Sequence, residues 1–276
     1  MWWFLSCAGL SLAGWAVVSA REALYPERRL LAPPDPLPSY TVHNLRAADG
    51  SSFDVWRLEA PSPRARILLC HGYYANRYQV LGVAERLRRR GYEVLLFELR
   101  GHGSRPGPCT FGMKETGDAI AILQWAKARD PARSLPVGLL GFSLGGAVAC
   151  QVARSFREVN AVVVDSVYSR LFPVLRRVVQ RRYHLPAFPL TWLTWWALQL
   201  ALQRRLASID PVALAPHLRQ PLFAIQGGED GQELYQRWAG PKEQWFEATV
   251  EHVGMFARHP QEYGDRVADF FDRVFA

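Results

Sequence analysis

An apolar run at Pro136–Leu140 leads into Gly141-Phe142-Ser143-Leu144-Gly145-Gly146, and a helix-capable run, Ala147–Phe156, follows at once. Gly-x-Ser-x-Gly between a strand and a helix describes a serine on a sharp, strained turn. The flanking positions must lack side chains for the backbone to fold back and the hydroxyl to project. The motif alone recurs by chance, so its weight rests on what surrounds it.

The surroundings alternate. Ile67–Cys70 is a short apolar run bounded by His71-Gly72, the profile of a strand buried on both faces. Val80–Arg90 has helical periodicity and stops at Gly91. A strand at Glu93–Phe97, an amphipathic helix at Glu115–Arg129 and the strand before Ser143 follow in turn. Beyond the serine come strands at Ala161–Asp165, Leu222–Gln226 and Gln244–Ala248, and helices at Gln232–Trp238 and Gln261–Phe275. This order predicts an α/β fold, with a mostly parallel central sheet and helices on both faces. An edge hairpin precedes it: Tyr40–Leu45 and Phe53–Glu59 flank a turn at Asp49-Gly50.

The body so defined spans about 40–276. Within it, about 168–208 reads as a helical cap inserted between two strands, with Trp192, Trp195 and Trp196 flanked by the pairs Arg176-Arg177, Arg181-Arg182 and Arg204-Arg205. Such a cap can close an active site and touch lipid or an acyl chain. Pro186 and Pro189 break Leu185–Leu202 too much for it to read as a membrane span.

Upstream, residues Trp2–Ala20 carry no charge. As a helix they would extend roughly 28 Å, near the hydrocarbon thickness. Residues 1–21 therefore read as a membrane anchor or a signal segment. Val18-Ser19-Ala20 resembles a cleavage site, but no basic residue precedes the run, which favours the anchor. Arg21, Arg28 and Arg29 on its C-terminal side put the catalytic body in the cytoplasm; the alternative is a secreted or periplasmic product after cleavage. Residues 22–39, with five prolines from Pro26 to Pro38, read as a semi-rigid tether. The net charge of +8 fits an anionic membrane surface better than nucleic acid, for which no binding motif is present.

The four cysteines show no metal spacing. All four read as small core residues, and Cys109, in a loop, is the one with a reactive thiol as its alternative. No cofactor is implied.

If Ser143 is a nucleophile, it needs a base, and the base needs a carboxylate to orient it. Histidine and carboxylate must come from loops after strands. His252 follows the strand at Gln244–Ala248, whereas His259 heads the last helix; His252 is the better base. Asp230 follows the strand at Leu222–Gln226, and Asp165, ending the strand at Ala161–Asp165, is its rival as the acid. Asp165 has a plain alternative, a carboxylate that orders its own loop. The oxyanion of an acyl-transfer intermediate needs two N–H donors, which the order of elements assigns to the backbones of Leu144 and Tyr73. His71 and His102, each before a glycine, read as structural hydrogen-bonding groups.

HGYYANR, ELRGHGSRPG, GFSLGG, PLFAIQGGED and EHVGMF, in this order and spacing, resemble the α/β-hydrolase superfamily, closest to its serine aminopeptidase-like and prolyl-oligopeptidase-like branch and its small membrane-anchored members. The resemblance covers Ser39 to the C-terminus. It implies Ser143, Asp230 and His252 as the triad, with Tyr73 and Leu144 as oxyanion donors. One departure is that Asp230 precedes Gly231-Gln232-Glu233 rather than an apolar residue. The expected activity is a serine hydrolase cleaving an ester or thioester of an acyl or lipid-like small molecule. A peptidase on the same triad and a non-catalytic membrane-tethered binding protein are the alternatives.

Overall fold

The computed structural model describes residues 2–29, 31–33, 35, 37–129, 134–184, 186–228 and 231–276, with side chains from residue 12 onward. Among these residues the chain forms one eight-stranded sheet, in the order β1-β2-β4-β3-β5-β6-β7-β8. The strands are β1 (Thr41–Arg46), β2 (Ser52–Leu58), β3 (Ala65–Cys70), β4 (Tyr92–Phe97), β5 (Val137–Phe142), β6 (Val159–Asp165), β7 (Leu222–Gly227) and β8 (Lys242–Glu247). From β4 across to β8 every pairing is parallel, while β2 runs antiparallel to β4 and to β1.

The helices are α1 (Trp2–Leu24), α2 (Tyr78–Arg89), α3 (Met113–Arg129), α4 (Leu144–Ser155), α5 (Leu171–Tyr183), α6 (Ala187–Leu202), α7 (Pro211–Leu214), α8 (Gln232–Arg237), α9 (Met255–Arg258) and α10 (Pro260–Phe275). One core lies between the sheet and α2 and α10; the other lies between the sheet and α3 and α4. That two-sided cover is why β3, β4, β5 and β7 are buried along their whole length and read as continuous apolar runs. The expected hairpin is present, with Gly50 at φ +81° in its turn, a conformation that costs glycine little.

The insertion between β6 and β7 holds α5 and α6. The latter buries Leu190, Trp195 and Leu198. The N-terminal run forms the helix α1. Among the described residues, no helix is long and apolar enough to cross a membrane. Its C-terminal half instead packs on the cap: Ala16, Ser19, Ala20 and Leu24 are buried. The Thr194 hydroxyl donates to that of Ser19 at 3.2 Å, Trp15 meets Tyr183 edge to face, and the Cys109 N–H donates to the Leu24 carbonyl at 2.6 Å. The small residues at 16, 19 and 20 let the two helices approach closely, a surface that lipid would otherwise have to cover.

Candidate active site

β5 delivers the chain to the serine turn at the C-terminal edge of the parallel strands, where ligands bind in open α/β sheets. A side chain at Gly141 would put its Cβ 2.2 Å from the Gly145 carbonyl oxygen, and one at Gly145 would sit 2.2 Å from that of Cys70. Both neighbours are backbone, so neither can yield. Between them Ser143 adopts φ 49°, ψ −110°, far from the helical and strand regions. Such a residue costs of order 1–3 kcal/mol and persists only when its surroundings over-determine it. Here its N–H donates to the Asp165 carbonyl at 2.8 Å, and its own carbonyl accepts from Gly146 at 3.0 Å and Ala147 at 3.2 Å.

His252 lies in the loop after β8, and its Nε2 is 2.9 Å from Ser143 Oγ. The sequence places these two residues 109 positions apart, and the fold brings them to hydrogen-bond distance. The histidine loop is itself strained: Val253 has φ +62°, unusual for a β-branched residue. It is pinned from the end of β6, two strands away in the sheet, because the Val253 N–H donates to Ser166 Oγ at 2.9 Å. Gly227, at the end of β7, lets the same loop pass close, since a Cβ there would lie 2.5 Å from the Glu251 carbonyl oxygen. His259, the rejected candidate, caps α10 and pairs with Glu247 at 2.9 Å.

Asp230 lies outside the described residues. Its neighbour Gly231, at φ +85°, packs against Val167, where a Cβ would stand 2.5 Å from the carbonyl oxygen. Asp165, the rival, is fully buried, and Ser166 Oγ donates to its Oδ1 at 2.8 Å. Burial pushes its carboxyl up to about 6, against the opposing influence of the Ser166 and Tyr263 hydroxyls and of His252. The Tyr263 hydroxyl lies beside the carboxylate, yet Oδ2 has no hydrogen bond of proper geometry among the described residues.

On the opposite side of Ser143, Gly72 comes within van der Waals reach: a Cβ there would be 3.6 Å from that of Ser143. The Gly72 N–H is taken by Gln79 Oε1 at 2.7 Å. The N–H groups of Tyr73 and Leu144 have no hydrogen-bond acceptor among the described residues, and Leu144 begins α4, whose N-terminal dipole favours negative charge. His71 is structural, as expected. Its Nδ1 donates to the Gly72 carbonyl at 2.8 Å, its Nε2 accepts from the Leu99 N–H at 3.0 Å, and burial lowers its imidazole to about 3. His102 Nδ1 likewise donates to the Arg100 carbonyl at 2.8 Å. Cys109 is a core residue and not its reactive alternative: it is fully buried, and burial pushes the thiol well up. No cluster of metal-ligating residues occurs among the described residues.

Two spaces meet at Ser143. An open chamber of about 800 Å³ runs past His252 and is lined by Arg29, Arg177 and Arg181. A smaller pocket of about 110 Å³ is apolar, between Leu144, Leu171, Leu175, Val179 and Leu198. Sequence reasoning missed one wall of both. Glu22 of α1 borders each space, and Ser19 and Ala23 border the smaller. The Tyr183 hydroxyl and Arg182 hold the Glu22 carboxylate, and the Tyr73 hydroxyl donates to the Ala23 carbonyl at 2.8 Å. Ser166 was also missed. No local pattern marks it, because its partner Val253 is 87 positions away.

A parallel sheet flanked by helices, with a serine on a strand-to-helix turn and a histidine against it, is the α/β-hydrolase fold, and residues 65–193 match the family model of that description. The esterase Pf2001 of Pyrococcus furiosus superposes with a TM-score of 0.74 at 26% identity, covering 92% of this chain and all of that one. Among curated relatives, the uncharacterized protein YqkD of Bacillus subtilis is 24% identical over 75% of this chain and 71% of its own length. The uncharacterized protein YfhR of Escherichia coli K12 is 25% identical over 89% of this chain and 84% of its own. These likenesses support a hydrolase.

Proposed function

We propose that this protein is a serine hydrolase of small acyl esters or thioesters, with Ser143 as nucleophile, His252 as base and Asp230 as the carboxylate that orients it. The observation that carries the reading is the 2.9 Å approach of His252 Nε2 to Ser143 Oγ on a strained strand-to-helix turn. The esterase activity named for the Pyrococcus furiosus neighbour points the same way.

In the mechanism, Nε2 of His252 takes the Ser143 proton as Oγ attacks the substrate carbonyl carbon. The carbonyl oxygen becomes an oxyanion facing the Leu144 and Tyr73 N–H groups. Collapse breaks the bond to the alcohol or thiol, which leaves with the proton from His252. Water, deprotonated by the same imidazole, then attacks the acyl-enzyme and frees the acid and the serine. The apolar pocket takes the acyl chain. Among the described residues Glu22 is the acid that borders this pocket, and Arg182 and Tyr183 hold it, which favours an acyl chain there over a peptide's ammonium group.

Arg21, Arg28 and Arg29, which follow the apolar N-terminal run, support a cytoplasmic location for the body. A fluorophosphonate probe tests the nucleophile: it labels the wild type and fails to label Ser143→Ala. Labelling that survives this substitution overturns the assignment.

A further inference from the structure

The cap helix α6 buries one side against the body, and its other side is also apolar. Trp192, Trp196 and Leu200 recur every fourth residue, which aligns them in one strip. Their exposures are 49%, 64% and 81%, and Phe188, four positions earlier, is 74% exposed. Three large apolar side chains in one exposed strip, with a fourth exposed just before it, are more than scattered surface residues require. On the neighbouring α1, Val17 and Val18 are 63% and 55% exposed.

We propose that this strip is a membrane-contact surface: α6 lies flat in the interface of an anionic bilayer instead of crossing it. Three features select that occupant. Tryptophan suits the headgroup level, where its ring is half buried and its N–H still finds water. The cap's cations accompany the strip: Arg204 and Arg205 follow α6 directly, and Arg181 ends α5. All three are exposed, and none has an acidic partner among the described residues. Each such cation near an anionic surface contributes attraction that salt screens. A second copy of the chain would fit less well, because a two-fold contact would gather the arginines of both subunits at one interface, and α6 carries no acid to offset them. The inference goes beyond the hydrolase reading and does not depend on it, since an inactive protein would bind equally.

The test is co-sedimentation of the full chain with large unilamellar vesicles, either phosphatidylcholine alone or phosphatidylcholine with phosphatidylglycerol. The wild type pellets with the anionic vesicles, and more weakly as salt is raised. Trp196→Ser/Leu200→Ser alters exposed positions only, and it lowers vesicle binding at least tenfold with the thermal melt unchanged. Arg204→Glu/Arg205→Glu lowers binding to the anionic vesicles and narrows their advantage over the neutral ones. No vesicle binding by the wild type overturns the proposal. So does binding that Trp196→Ser/Leu200→Ser leaves intact, which would put the contact elsewhere. Light scattering supplies the last arm: a wild-type dimer that this double variant splits, with vesicle binding kept, assigns the strip to a second copy and overturns the membrane surface.

Discussion

Asp165→Asn separates the two carboxylates and turns on a buried charge. In the folded protein, burial raises the Asp165 carboxyl from 3.8 to about 6. At about 1.4 kcal/mol per pH unit, that rise corresponds to about 3 kcal/mol. The folded state keeps the proton to higher pH than the unfolded chain does. The stabilising contribution is therefore complete below pH 3.8 and is lost as pH rises through about 6. Above that, the folded protein carries an ionised, fully buried carboxylate. Asparagine has the same shape and never ionises. Its amide nitrogen would replace an oxygen that has no hydrogen bond of proper geometry among the described residues, with the Tyr263 hydroxyl beside it. Allowing about 1 kcal/mol for imperfect pairing of the amide, the variant should be about 1–2 kcal/mol more stable than the wild type at pH 8. In a chain of this length that is a rise of about 2–8 °C in Tm.

Parallel melts of the two proteins from pH 4 to pH 8 check this. The difference between them isolates the one group, because other carboxylates titrate alike in both. The gap should open between pH 4 and 6 and stay level beyond. A variant that is less stable at pH 8, or a gap independent of pH, refutes the reasoning. The same protein answers the mechanistic question. If Asp230 orients His252, Asp165→Asn keeps ester hydrolysis within about tenfold. A fall of about 10⁴, the size seen when a triad carboxylate becomes an amide, makes Asp165 the orienting group.

Ser166→Ala strands the Val253 N–H and frees the histidine loop, so kcat should fall more than KM rises, with a loss of about 1–3 kcal/mol in stability, read by steady-state kinetics and melting. Gly145→Ala forces a Cβ to within 2.2 Å of the Cys70 carbonyl oxygen, and its melting temperature should drop by at least 5 °C or the protein should fail to fold. Gly117→Ala, mid-helix with nothing within 4 Å, should instead gain about 0.5–1 kcal/mol; equal effects of the two substitutions would contradict the packing described. Removal of residues 1–20 takes away Ser19 from the pocket wall and Ala16 and Ala20 from the cap contact. The truncated protein should melt lower and turn over short esters more slowly, and an unchanged melt would show that α1 is not part of the body.

The expected elements match the observed ones to within a few residues. Strands buried on both faces must be apolar throughout, and amphipathic helices must repeat every three to four residues, so each declares itself locally. The serine turn was legible for the same reason. Its first glycine is demanded by a contact a few residues away, Gly141 against Gly145, and the adjacent strand and helix are written on either side. The order of Ser143 and His252 along the chain was likewise readable, because each follows a strand of the alternating series. The surroundings of the N-terminal helix were not legible. Its lack of charge suits both lipid and a protein cap, and composition does not distinguish two apolar surroundings.

Chain chemistry by itself determined the α/β alternation, the strained serine and the histidine after a later strand, because those follow from contacts short in sequence or from a periodic pattern. Only tertiary structure decided that His252 reaches Ser143 at 2.9 Å, that Ser166 pins the histidine loop, that Glu22 of the first helix walls the site, and that α6 turns Trp192 and Trp196 outward. Each of these joins residues far apart in the chain, or sets which of two apolar faces is covered. Such distances and faces are fixed by the packing of whole elements, not by any residue's near neighbours.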